Sequence, residues 1–390
     1  MKKDIVPATT GAERNYGIDL LKIVAMMFIC ILHVCNFGGL SVSEKSFPDN
    51  YRLVAFFKAL TYGALNMYAI ISGYVGYNKK FKLSRPALIW LELVFYTILS
   101  TVLMSFINPS IMPENAWFKA VMPVMNREYW YMTAYFGMVV LMPLMNAALQ
   151  KASMKTLSFV LLGVLVFYCV LPTYMDVSVF NLGNGYSTIW LCVMYIVGGY
   201  IARIRKKPHP LITFAVFVIM VLLTWFAKLN DMPGTLSYTS PTVMLSAVAM
   251  VMTFCQIKIK HRIPQKIISF TVPSTLGIFI IHVHTFAWET YVKDCAKAFA
   301  KSNVFLLALM VLVIAAAIFF ICFGVDVVRR GLFRLLHLKQ LMHRVDSLLE
   351  RLFGDKKSEA AAVLQTAADG ADAEQKEMPD EKEAPPENKE

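Results

Sequence analysis

The chain has 390 residues, of which 57% are hydrophobic and 16% charged, with a mean hydropathy of +0.55. Those shares are too apolar and too charge-poor for a soluble globular enzyme, and they exclude a disordered chain, a coiled-coil rod and a disulfide mini-protein; the class is an all-α polytopic membrane bundle. The net charge of +12 is uneven, because the last 36 residues hold eleven acidic and five basic side chains, a net of −6 that leaves +18 on the rest. A basic, apolar chain of this kind suits anchoring at an anionic inner leaflet better than binding nucleic acid.

Residues 1–16 form a short N-terminal segment. Apolar runs that match a ~30 Å hydrocarbon core follow at 17–38, 53–76, 86–107, 129–149, 157–172, 188–202, 211–228, 241–256, 270–288 and 304–325. They make about ten transmembrane helices, and the membrane domain covers 17–325; the run at 188–202 is the shortest. Asp19 and Lys22 interrupt the start of the first run and no A-x-A site closes it, so it reads as a retained span and not as a cleaved signal. Lys79/Lys80/Lys82/Arg85, Lys151/Lys155, Arg203/Arg205/Lys206/Lys207 and Lys258/Lys260/Arg262/Lys266 fall in alternate loops, while 172–187 has no basic residue. This asymmetry predicts that the N- and C-termini are both cytoplasmic.

Beyond the last span, 326–354 alternates Leu-rich and basic positions and is expected to be an amphipathic helix on the inner leaflet; a short homodimerising coil is the other reading. The Ala/Glu/Lys/Pro-rich segment 355–390 is expected to be disordered. Seven cysteines occur singly, mostly inside apolar runs and without a C-x-x-C, which predicts packing thiols and no metal site.

Ionisable side chains inside a span are costly and are functional or paired. The first span has three, Asp19, Lys22 and His33. From Lys22 to His33 the helix turns three times plus about 20°, and Asp19 lies one turn before Lys22, so all three share one stripe. His33 then stands ~16 Å along the axis from Lys22, about half the bilayer. The plain alternative is that Asp19 neutralises Lys22 while His33 bonds a neighbouring carbonyl.

Lys22, ten residues and then His33 resembles the basic-x10-histidine signature of the integral-membrane acyltransferase family of acyltransferase-3 type, which modifies cell-surface glycans. Gly17 and Asp19 ahead of Lys22 are similar to that family's entry motif. Tyr68 to Tyr74, with Ser72 and Gly73, resembles its F-x-x-S-G-[FY]. Lys82 and Arg85 stand where the family has R-x-x-R, Trp130 with Pro143 resembles its fourth-span pattern, and Ser274 with Phe279 to His282 resembles a late S…Y-x-x-H. Lys82 replaces an arginine and Phe279 a tyrosine, and His284 follows His282 closely.

The resemblance implies an acyl-CoA donor, by default acetyl-CoA, on the cytoplasmic side, and a hydroxyl of a carbohydrate acceptor outside, in the cytoplasmic membrane of a bacterium. It implies catalytic roles for His33, Asp19 and Lys22, donor binding by Lys22, Lys82 and Arg85, and supporting roles for Ser72, Trp130 and His282, with no metal. His33 would act either as general base on the hydroxyl or as covalent acyl carrier. Read from the residues alone, the loop cations signal topology, Ser72-Gly73 allows close helix packing, and Trp130 belongs to an interfacial belt. On the same basis Glu92 pairs with Arg85, and His282 faces Glu289. A transporter or flippase of a polar solute, using the same stripe as its path, is the competing function.

Overall fold

A computed structural model describes residues 14–125, 129–175 and 182–353; every regular element among them is helical. The starts follow local chemistry. α1 (Tyr16–Phe37) opens on Asn15, whose side chain accepts the Ile18 N–H at 3.1 Å. α2 (Pro48–Gly76) begins on a proline, at a position that needs no intrahelical N–H, and is interrupted once at Tyr62–Gly63. α3 (Ser84–Ile107) and α4 (Trp130–Lys151) follow, then α5 (Met154–Tyr174), capped by Ser153, and α6 (Thr188–Arg203), capped by Ser187. α7 (Pro210–Leu229) and α8 (Pro241–Phe254) also start on proline. α9 (Arg262–Val283) contains a tight turn at Val272–Ser274, where Pro273 breaks the α-helical bonding. α10 (Val304–Leu335) completes the bundle.

Eight of these helices are long and apolar enough to cross a membrane, and α6 and α8 are shorter. All ten occupy segments predicted from the apolar runs. The short pair lies inside the bundle, α6 against α2 and α4, α8 against α1, α2 and α7. Neighbours cover these helices, so they need not present the ~20 apolar residues that a lipid-facing span does. The α2–α6 contact is very close: a Cβ on Gly73 would strike the Tyr195 carbonyl, and one on Gly198 would strike the Ile70 carbonyl. Two glycines let these backbones meet.

Bonds between helix ends fix the alternation. Asn15 Nδ2 donates to the Cys255 carbonyl at 2.8 Å, and Asn146 Nδ2 donates to Gly76 at 3.1 Å. Arg203 donates to the Leu149 carbonyl and, at 2.9 Å, to that of Ala152, satisfying the end of α4. These contacts gather Lys79 to Arg85, Lys151, Arg203 and the Lys258 loop at one end of the bundle, here the basic end. α1 starts there and α10 finishes there.

The last span continues past 325 to Leu335, so the stretch expected as one amphipathic helix over 326–354 is divided. His337, with φ 52° in the left-handed region, breaks the helix. α11 (Leu338–Phe353) follows it and belongs to a second unit that begins at His337. The tail 355–390 lies outside the described residues.

Candidate active site

α1 and α9 bring two histidines together. His33 Nδ1 and His282 Nε2 are 2.9 Å apart, and His282 Nδ1 lies 2.6 Å from the Ile278 carbonyl, one turn back on α9. The carbonyl can only accept, so Nδ1 of His282 carries hydrogen and, in the neutral ring, its Nε2 accepts. His33 Nδ1–H therefore donates into His282, and His33 Nε2 keeps a lone pair. His282 is 1% exposed, while His33 is only partly buried. Trp288 meets the His33 ring edge-on at 5.3 Å, and Phe37 packs on Trp288 at 4.6 Å, covering the pair on the side away from the basic end.

Nearer the basic end, Asp19 is held between two cations, Lys22 Nζ at 2.8 Å and Arg14 Nε at 2.6 Å. Tyr68 Oη donates to the Lys22 carbonyl at 2.6 Å and ties α2 to α1 at this level. Lys22 also lines a cavity of about 250 Å³ at the basic end, where Lys79, Lys80, Lys82 and Arg85 gather and, among the described residues, no acidic side chain joins the wall. Burial, and then the neighbouring Arg85 and Lys22, hold the Lys79 ammonium below its ordinary pKa. Lys79, Lys80, Lys82 and Arg85, four cations in a wall with no acid among the described residues, form a site complementary to phosphate groups.

A second cavity of about 270 Å³ shares Lys22, Ser72, Ile89 and Tyr135 with the first. It follows the α1 stripe through Met26 and Ile29. His33 is the next position on that stripe, one turn beyond Ile29. The opposite wall is α4, where Tyr131 and Tyr135 line the second cavity and Tyr135, Met142 and Asn146 line the first. A cationic mouth thus leads into an apolar, tyrosine-walled chamber that ends one turn short of the histidine pair.

Asp19, Lys22, Ser72, Lys82, Arg85, His33 and His282 all fall along this line. Trp130 does not: it lines neither cavity and packs against Tyr186 at 4.4 Å and Tyr238 at 5.7 Å. Of the two neighbouring histidines, His282 reaches His33, whereas His284 turns its Nδ1 to accept the Phe286 N–H at 3.1 Å. Two expected pairs are corrected. Glu92 binds Arg329 at 3.1 Å, leaving Arg85 in the mouth, because α10 packs beside α3 at that level. Glu289 binds Lys293 at 2.7 Å instead, because α9 breaks at His284 and Glu289 lies in a separate helical turn, so it does not continue the His282 face. Sequence reasoning missed Tyr131, Tyr135 and Asn146. Their spacing of 4 and then 11 residues on an apolar helix marks a polar stripe and was the available signal.

The acyltransferase-3 family model, an acyltransferase domain, matches residues 15–324, which spans every residue of this line from Asp19 to His282. The chain belongs to that family. It is a multi-pass membrane protein of an acyltransferase family, and the matched region takes in all of α1 to α9 and most of α10. Comparison with curated proteins and with solved structures gives no match.

Proposed function

We propose that this acyltransferase carries an acyl group from acyl-CoA, bound at the basic end on the cytoplasmic side of a bacterial cell membrane, to a hydroxyl of an extracytoplasmic carbohydrate. The observation that carries the reading is the pair of cavities that share Lys22 and lead from the cationic mouth to one turn short of the histidine pair. The phosphates of coenzyme A suit the Lys79–Arg85 cluster, and its extended arm suits the apolar chamber beyond it. Lys22, neutralised in part by Asp19, stands at the junction of the two.

In the transfer step, His33 Nε2 takes the proton of the acceptor hydroxyl while that oxygen bonds to the thioester carbon. The C–S bond breaks, the ester leaves, and the proton passes from His33 to the thiolate, giving free CoA. The imidazolium formed in between is stabilised because Nδ1–H already points at His282, whose own ring is fixed by Ile278. Acetyl is the default donor by family.

The test uses purified protein in lipid nanodiscs with acyl-labelled acetyl-CoA. Release of free thiol with label moving onto an envelope glycan is the expected result. Arg85→Ala should raise the KM for acyl-CoA, and Arg85→Lys should restore it only in part, since lysine cannot grip phosphate in a bidentate way. Absence of both binding and turnover of acyl-CoA would return the line of cavities to a solute path.

A further inference from the structure

The chamber beneath the histidines ends on two apolar side chains. Ile29 stands one turn before His33 on α1, and Phe279 one turn before His282 on α9. Both line the 270 Å³ cavity, and neither histidine does. Ile29 is 1% exposed and Phe279 6%. The Phe279 ring meets His282 edge-on at 6.1 Å and Tyr131 at 6.0 Å. On the far side of the same histidine lies another cavity of about 230 Å³, lined by His282, Ile281 and apolar residues of α3 and α10, which Phe279 does not touch. Phe279 thus lines one space and its edge-on neighbour His282 lines the other.

We infer that the Ile29–Phe279 layer sets the length of acyl group that the enzyme accepts, with Phe279 as the side chain that restricts it to short chains. The inference rests on reading the chamber as the acyl-CoA site. For reaction, the thioester carbon must come up to His33 Nε2, so everything on the acyl side of that carbon has to fit at or beyond this layer. A two-carbon group adds one methyl there. Each further methylene must displace a ring already packed between Tyr131 and His282, and well-packed interiors do not yield space for added carbons readily. Removing the ring leaves both histidines in place and opens the chamber towards the apolar space behind His282. Tyrosine at this position would keep the ring and the restriction; alanine or leucine would not.

The experiment measures the affinity of purified full-length protein in nanodiscs for CoA, acetyl-CoA, butyryl-CoA and hexanoyl-CoA. Wild type should bind hexanoyl-CoA more weakly than acetyl-CoA. Phe279→Ala should reduce that preference about tenfold or more, the scale on which a pocket discriminates single methylenes. Phe279→Leu and Ile29→Ala should reduce it less, and Phe279→Tyr should leave it as in wild type. Equal affinity of wild type for all three thioesters overturns the inference. So does an unchanged preference in Phe279→Leu or Ile29→Ala, which also serve if the alanine variant at 279 does not fold. Failure of wild type to bind even CoA overturns the chamber assignment itself, and the acyl-length inference with it; intact CoA binding with unchanged preference removes only the latter.

Discussion

At the scale of single residues, the proposed transfer step turns on which nitrogen of His33 carries the proton. The chain of bonds from Ile278 through His282 places hydrogen on Nδ1 of His33 and leaves Nε2 basic. Replacing His33 with Gln keeps hydrogen bonding but removes the base, so kcat for acyl transfer should fall by on the order of 10²–10⁴-fold with acyl-CoA affinity retained. In the proposed step His282 acts through His33, as a positioning residue. His282→Ala should lower kcat while KM stays, and His282→Gln, which offers an amide oxygen to His33 Nδ1–H, should recover part of the rate. A His33→Gln variant that transfers acyl groups at wild-type rate would refute the base. The Asp19–Lys22–His33 stripe was legible in the sequence because all three lie on one helix, where 3.6-residue periodicity fixes their relation. The hydrogen bond to His282 was not, because it joins α1 to α9, and no spacing along a chain encodes which helices become neighbours.

At the scale of elements, one turn of α10 fastens α3 and α9. Asp326, with no exposed surface, accepts from Tyr96 Oη at 2.7 Å and from Arg329 Nε at 2.9 Å, while Arg329 Nη2 reaches Glu92 at 3.1 Å. Arg330 donates to the Phe270 carbonyl at 2.7 Å and to Ser274 Oγ at 2.9 Å. Asp326 also fills the space beside Gly277, where a Cβ would collide with its carboxylate. Arg329 is thus the cation shared by buried Asp326 and partly buried Glu92. Arg329→Ala should destabilise the bundle by about 3–5 kcal/mol, because it leaves those carboxylates without compensation. Glu92→Gln removes one charge, leaves the Arg329–Asp326 pair intact and should cost much less. Thermal unfolding in detergent would rank the two, and equal midpoints would show that the cluster does not hold α3 to α10. The sequence placed Arg329 among surface cations of an amphipathic segment. That reading failed because α10 runs past the expected end of the span and carries Arg329 into the interior at 7% exposure. Glu92 misled for a related reason: its spacing from Arg85 is helical, but the stronger partner comes from a helix far along the chain.

At the scale of the whole molecule, the ten segments were legible because a hydrocarbon core demands long apolar runs and leaves little choice of structure within them. What apolar runs do not encode is the order in which helices pack, and hence that α6 and α8, the shortest, lie inside the bundle. The two ends of the bundle differ in how their charges are met. Away from the basic end, Lys228 is paired with Asp231 at 2.8 Å, Lys293 with Glu289 at 2.7 Å, Lys297 with Asp294 at 3.3 Å, and Arg52 with Asp49 at 3.7 Å. At the basic end, Lys79, Lys80, Lys82 and Arg85 face a cavity that has no acid in its wall among the described residues. Retention of such a surplus on the side of synthesis is what orients multi-pass proteins, so the basic end should be cytoplasmic. Reporter fusions after Asn78, Lys206 and Lys260 should therefore register cytoplasm, and a fusion at Asn184, whose neighbour Leu182 belongs to a stretch without basic residues, should register the outside. The same orientation puts the cationic mouth on the side of the proposed acyl-CoA donor and His33, ~16 Å further along α1, towards the proposed acceptor. A cytoplasmic signal at Asn184, with full-length protein inserted, would reverse the bundle and place the phosphate-complementary mouth on the side that lacks the donor, and the direction of transfer proposed above would fall with it.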